Sequence, residues 1–448
     1  MHIDLKGLAP QAEYGWKLMD DLQSFGYNYI LMEFEDKFPY DCCPEIVHRG
    51  AYTISELAGF RRKGLDVIPL MQCAGHLDYL LAHENYAALR SRGRTYQWDL
   101  NNDKVFDLWK KMVEEILEVY PDSKYFHIGA DEVELADEAE FEQYVLHVER
   151  CVDYLAAKGL QVLIWDDMFR KHTHPVLERL MPKVIVCVWQ YRAVNEIFVE
   201  NMVKLGAEVW GASRIQTNTH YRGMGRLKLK YKNLNDWLLV NNKYNLHGHI
   251  GTLWGRAQCL TPLNAALPEA MYMAAYLAHG LLNGNVDRNE FDRKFAAEYF
   301  NAPDFNLHEF ADCIGCDPDW GMQFLCEVNK NQDIMEHWQL LNELDSFFKY
   351  CDRCFAANQG MIVGYRKGAI PPKLTRNYLD GVRITRERAA QLKEKLRTLF
   401  DKYYAKGQIE EYLASRFDNI LETNERWGEV LTQAAAAYNP QLPGKVVE

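Results

Sequence analysis

Two adjacent acids, Asp131 and Glu132, are the residues of this sequence with the strongest claim to chemistry. They follow a short apolar run, Tyr125, Phe126 and Ile128, that reads as a buried strand, and Gly129 and Ala130 let the backbone there approach something closely. The plain reading is that the two acids open the next helix, since carboxylates favour helix N-termini. Other strand-like runs argue otherwise, because they too end in polar residues that are expensive to place there. Side chains of consecutive residues diverge at a strand end, so one carboxylate can orient a reacting group while the other moves a proton.

The elements that would position them recur along the chain. Apolar runs predict strands at 1–7, 27–34, 66–72, 125–132, 161–167, 183–191, 207–213 and 249–256. Between them, helical spacing covers 10–25 (closed by Gly26), 55–63 (Ser55 as cap, Gly64 as stop), 105–119, 140–158, 175–180 and 195–205. Eight strands alternating with helices predict the α/β class, specifically a (β/α)8 barrel, whose active site lies at the C-terminal ends of the strands. The residues trailing each run then face one centre: Asp36, His76, Asp131, Glu132, Trp165, Asp166, Asp167, Trp189, Tyr191, Trp210, Trp254 and Arg256. Four tryptophans at strand ends suit a pocket that grips an apolar sugar face.

From about residue 286 the texture changes. Strand runs stop, and helical periodicity covers 291–300, 320–348 and 378–404, broken at Pro371 and Pro372. The expected organisation is a barrel at 1–285 and an α-helical C-terminal region at 286–448. The alanines at 434–437 carry no expected role.

Composition narrows the partners. The chain has 448 residues, 48% hydrophobic and 25% charged. It shows no apolar run of spanning length and no hydrophobic leader, so a membrane is not an expected partner. Its formal charge of −12, without basic blocks, speaks against nucleic acid. Eleven cysteines form no repeating framework. The pairs Cys42 and Cys43, Cys313 and Cys316, and Cys351 and Cys354 complete no zinc ligand set, so reduced thiols in a cytoplasmic protein are expected, with no metal and no cofactor.

The segment His127, Gly129, Ala130, Asp131 and Glu132 resembles the motif of glycoside hydrolase family 20, the β-N-acetylhexosaminidases. Four further segments resemble its hexosaminidase D branch: 2–7, 35–40, 67–76 and 165–168. The resemblance spans the barrel and nothing beyond it. It implies an exo-acting, retaining hydrolase of glycans ending in N-acetylglucosamine or N-acetylgalactosamine. In this family the substrate's 2-acetamido oxygen, not an enzyme carboxylate, attacks the anomeric carbon and gives an oxazolinium ion.

By that resemblance Asp131 orients the acetamido group and Glu132 is general acid and then base, a role that burial and a neighbouring carboxylate favour by keeping a carboxyl protonated. His76 belongs to the site and His127 to a supporting layer. Trp189, Trp210 and Trp254 are candidate walls, and Trp165 is a wall or lies behind one. Tyr191, ahead of Tyr221, is the phenol for the acetamido carbonyl. Asp36, with Glu35 as competitor, and Arg256 are candidates for ring hydroxyls. Two departures stand out. Many members have an Arg before the first strand's Asp, for which this sequence has no room. Many also have Trp-x-Glu on the eighth strand, where Trp254 and Arg256 stand here, which exchanges an acceptor for a donor at one edge of the sugar. A second subunit, in a homodimer, would be one way to complete the pocket.

Two rival readings remain. His2, Asp4, His76, His127 and Asp166 can be drawn as the ligands of a metal-dependent amidohydrolase on the same barrel. The other rival is a barrel that binds sugar without turning it over, against which the intact acid pair argues.

Overall fold

In a computed structural model of the chain, residues 1–6, 8–170, 175–217, 227–255, 267–314, 328–366 and 372–438 are described. Eight strands run in order: β1 (His2–Asp4), β2 (Tyr29–Glu33), β3 (Asp66–Leu70), β4 (Tyr125–His127), β5 (Gln161–Trp165), β6 (Val184–Trp189), β7 (Glu208–Thr217) and β8 (Gly248–Trp254). Each is parallel to the next, in sequence order from β1 to β8. β8 returns to the side of β1, where the Gly255 amide donates to Asp4 Oδ2 at 2.9 Å. The result is a nearly closed (β/α)8 barrel with a helical C-terminal region, as the alternation of strands and helices predicts.

Side-chain alternation explains the two cores. On one face of the strands Leu31, Ile68, Leu70, Leu163, Ile185, Cys187 and Ile250 fill the barrel lumen. Their neighbours in sequence, such as Ile30, Met32, Val67, Ile164 and Val186, point outward to a larger core shared with the helices. Two residues beyond the inward apolar positions stand polar groups on the same face: Glu33 after Leu31, Gln72 after Leu70, Asp167 after Trp165. The barrel is therefore apolar in its depth and charged at its mouth.

Helix ends follow local chemistry. The helix Ala12–Phe25 ends on Gly26 at φ 104°, whose amide reaches the Gln23 and Leu22 carbonyls. The short helix Ile54–Ala58 is capped by Thr53 rather than by the expected Ser55, because Thr53 and Glu56 form a reciprocal capping box.

The C-terminal helices are Arg288–Tyr299, Leu307–Cys313, Gln332–Arg366, Pro372–Phe400 and Lys406–Ala436. Pro372 opens its helix, where a missing amide hydrogen removes no internal bond. These helices share the barrel's outer core: Phe300, Trp338, Phe400, Tyr404 and Leu413 are buried in one cluster with Leu18, Met19 and Leu22. They also hold the loop after β1. The Gln11 amide donates to the Tyr403 carbonyl at 2.7 Å, and the Ala9 amide to Gln408 Oε1 at 2.8 Å. Among the described residues no helix is long and apolar enough to cross a membrane.

Candidate active site

β4 stops at His127, and the next five residues leave regular geometry. Gly129, Ala130 and Glu132 have φ of 66°, 70° and 50°. His76 and Glu35, on neighbouring loops, are also left-handed, at 54° and 47°. Non-glycine residues adopt this region rarely, and such strain gathers where a site over-determines the backbone. The glycine is required, since a Cβ on Gly129 would lie 1.9 Å from Gln72 Oε1. Gly75 is similarly tight, with the Asp131 carbonyl 2.9 Å from where its Cβ would be.

This geometry turns Asp131 into the barrel and Glu132 out of it. Asp131 is buried, and its Oδ1 accepts from Gln72 Nε2 at 3.2 Å. Its Oδ2 lies 3.3 Å from His76 Nε2, and the same nitrogen lies 3.3 Å from Glu132 Oε2. One imidazole thus bridges the two acids. Burial works against charge on His76, but Asp131 and Glu132 outweigh it and hold its pKa well above the ordinary range. Burial likewise opposes charge on Asp131, yet the facing His76 draws its carboxyl below the ordinary value. Glu132 departs from expectation. Its side chain is 59% exposed rather than buried.

Asp167, named among the trailing residues but given no role by sequence, ties this loop to its neighbours. Its Oδ2 accepts from the Glu132 amide at 3.0 Å and its Oδ1 from the Trp189 indole at 3.1 Å. Burial and the nearby charge of Asp131 push its carboxyl up to about 7. Asp166 is fully buried and bound by Arg170, with Nε to Oδ2 at 2.5 Å and Nη2 to Oδ1 at 2.7 Å. Arg170 in turn lies over the Trp189 ring, 4.7 Å from its centroid.

Across the mouth, Trp254 donates from its indole to the Tyr191 hydroxyl at 2.8 Å. The phenol is the acceptor in that bond, and its other hydrogen-bonding neighbour is Thr252, whose own hydroxyl donates to the Ser213 carbonyl at 2.8 Å. Burial pushes Tyr191 well above the usual range, so it stays protonated. The floor beside Trp254 is ionic: Lys6 Nζ donates to Glu33 Oε1 at 2.8 Å and lies 3.1 Å from Glu35 Oε1 without hydrogen-bond alignment. Gln72 joins this group to Asp131, because its Nε2 is also 3.4 Å from Glu33 Oε1. Burial alone would lower the Lys6 pKa, but Asp4, Glu33 and Glu35 raise it well above the ordinary value.

The structure therefore brings Asp131, Glu132, His76, Trp189, Tyr191 and Trp254 to one end of the barrel. It separates others. Trp210 is at the opposite end: β7 runs on to Thr217, so Trp210 falls in its first half, with its ring 5.4 Å from that of Tyr125 at the start of β4. Trp165 is fully buried one layer down, 4.3 Å from the His127 ring and 5.9 Å from that of Trp254, and presents no surface to a ligand. His127 is a neutral core residue, pushed down to about 3 by burial, and its Nδ1 accepts from the Gly129 amide at 2.9 Å. Asp36 pairs with Lys37 at 2.6 Å, while its competitor Glu35 joins the Lys6 group. Arg256 and Tyr221 lie outside the described residues.

The drawn metal ligand set does not assemble, since Asp166 is held by Arg170 and His127 Nδ1 by its own loop. Among the described residues, the ligand-type side chains that do gather are Cys73, His147 and Cys151, all buried, and there His147 Nε2 is engaged by the Cys73 carbonyl at 2.9 Å. Sequence offered a weak signal for Lys6, Glu33, Gln72 and Asp167: each is polar at an inward position trailing a strand.

Comparison with known proteins agrees with this geometry. The family description "Glycosyl hydrolase family 20, catalytic domain" fits residues 54–217. Hexosaminidase D of Bos taurus is 28% identical over 323 residues, covering 64% of this chain and 93% of its own length. Hexosaminidase D of Homo sapiens is 28% identical over 325 residues, covering 64% of this chain and 66% of its own. The crystal structure of a β-N-acetylhexosaminidase from Bacteroides fragilis NCTC 9343 superposes with a TM-score of 0.50 at 17% identity, over 66% of this chain and 68% of that one, a likeness of fold.

Proposed function

Because this chain belongs to glycoside hydrolase family 20 and is a glycoside hydrolase, we propose that it removes terminal N-acetylglucosamine or N-acetylgalactosamine from glycans, as an exo-acting, retaining β-N-acetylhexosaminidase. The observation that carries the reading is the divergence of two consecutive acids at the end of β4, one buried and one exposed, bridged by a single imidazole.

The chemistry follows from that divergence. Asp131, ionised and fixed by Gln72 and His76, accepts from the acetamido N–H and balances the positive charge that develops as the acetamido oxygen attacks the anomeric carbon. The Tyr191 hydroxyl donates to that oxygen. Glu132, turned outward, gives its proton to the glycosidic oxygen and then takes one from the water that opens the oxazolinium ion. Trp254 and Trp189 supply apolar walls whose N–H groups are already bonded to Tyr191 and Asp167, so the faces they turn to the sugar carry no unmet donor. The Lys6, Glu33 and Glu35 group is the described source of hydrogen bonds for ring hydroxyls.

The test is a set of four substrates: chromogenic N-acetylglucosaminide and N-acetylgalactosaminide, each beside its 2-hydroxy counterpart. Turnover confined to the N-acetyl pair is expected. Equal cleavage of the 2-hydroxy sugars would mean that an enzyme group, not the substrate, is the nucleophile.

A further inference from the structure

Glu132 has little to fix its side chain. It is more than half exposed, and the described contact of its carboxylate is with His76 at 3.3 Å. Its direction is therefore set by its backbone, which sits in the left-handed region at φ 50°. The bond that pins that backbone is the one from its amide to Asp167. The other oxygen of Asp167 pins the Trp189 indole. Both partners are N–H donors, so Asp167 serves them best as a carboxylate.

A cavity of about 560 Å³ opens on the same side, lined by Glu132, Asp167 and Trp189 together with Leu135 and Met168. Asp131, His76 and Tyr191 are not part of its wall. It therefore adjoins the proton donor but not the group that would hold the acetamide. In the reading proposed above, that side belongs to the leaving group.

We infer that Asp167 is a positioning residue for the reaction: it aims Glu132 at the leaving-group oxygen and, through Trp189, shapes the cavity into which the leaving group goes. This inference rests on the hexosaminidase reading. Asp167 itself touches neither the sugar nor the reacting atoms. The groups that face it are Asp131 and Glu132 from the β4 loop, Asp166 and Arg170 from its own loop, and Tyr144 from the helix Glu138–Ala156. His76 stands behind Asp131, and Asp137 and Glu138 line the outer cavity. Burial first, and then the charges of Asp131 and Asp166, push the Asp167 carboxyl up to about 7, and protonation there weakens its hold on both donors.

The test uses the full chain with Asp167→Asn, which keeps the shape but sets an amide N–H against one of the two donors. Rates are measured on an N-acetyl-β-hexosaminide with a sugar or alkyl leaving group, which needs a proton, and on a dinitrophenyl one, which does not. The expected result is a kcat loss of about 10- to 100-fold on the first substrate, with KM within about 3-fold and a much smaller loss on the second. The variant's deficit should also shrink as pH falls below about 7, because wild type then loses the same carboxylate. Equal loss on both substrates, or no loss, overturns the inference. Should Asp167→Asn fail to fold by near-ultraviolet dichroism, Asp167→Glu carries the comparison: it keeps an anionic acceptor, displaced by one methylene, and a loss confined to the poor leaving group is again the expected result. If wild type discriminates N-acetyl from 2-hydroxy sugars while the variants match it, the positioning role alone fails. If wild type cleaves both sugars alike, the reading beneath it fails first.

Discussion

The two ends of the barrel are both rich in aromatic residues and do opposite things with them. At the N-terminal end Trp210 packs on Tyr125, which packs on Tyr29 at 5.3 Å, and its indole N–H goes to Glu208 on its own strand at 2.9 Å. That end is a plug. At the C-terminal end Trp189 and Trp254 are only partly buried, and their N–H groups reach across to Asp167 after β5 and Tyr191 after β6. There the indoles tie β6 and β8 to the loops after β5 and β6 and leave faces open. The same residue type thus seals one end and shapes the other, and the difference is whether its donor is satisfied locally or across strands.

Substitutions at the two ends should separate activity from stability. Glu132→Gln should lower kcat on substrates with poor leaving groups by about 10³-fold. Because its side chain is exposed, the folding free energy should move by no more than about 0.5 kcal/mol in a denaturant titration. Trp210→Ala should do the reverse: a void in the plug costs about 3–5 kcal/mol of stability, while KM of the protein that stays folded is unchanged. A large change in KM there would erase the contrast between the ends. Tyr191→Phe should lower kcat on N-acetyl substrates by about 10- to 100-fold while costing about 1 kcal/mol of stability, since it removes an acceptor from Trp254 and the donor proposed for the acetamido oxygen.

The smallest effect concerns pH. His76 has a raised pKa, so its contribution to stability is complete below the ordinary histidine value and is lost as pH rises through the raised one. Asp131 is lowered, so its share is present above the ordinary carboxylate value and is lost as pH falls through the lowered one. Wild type should accordingly exceed His76→Gln in stability by a roughly constant margin between about pH 5 and 6.5, narrowing in alkali. A margin that grows with alkali would contradict the ion pair.

Much of this was legible beforehand, and the misses have causes. Short apolar runs located all eight strands, and the trailing positions found Asp131, Glu132, His76, Trp189, Tyr191 and Trp254. The error at Trp210 arose from strand length. β7 has ten residues, with a register shift between Arg214 and Gln216, and nothing in its first half announces that the strand continues. Trp165 was ambiguous because its inward direction is the same for a wall and for a floor, and only depth distinguishes them. The Lys6 group was hidden because its members come from two strands and a loop, and none is unusual by itself. Glu132 was expected to be buried because the general-acid role calls for it; its left-handed backbone, invisible in sequence, turned it outward.

The grip of residues 403–408 on the loop after β1 bears on how this chain can be handled. That loop begins beside Lys6, whose three carboxylate neighbours depend on its staying in place. A truncation after residue 285 would leave the amides of Ala9 and Gln11 without their acceptors and bare the apolar flank of the first helix. The barrel should therefore not be cut out as a unit, and whoever wishes to shorten this enzyme should trim from its far terminus inward and stop well before Gln408.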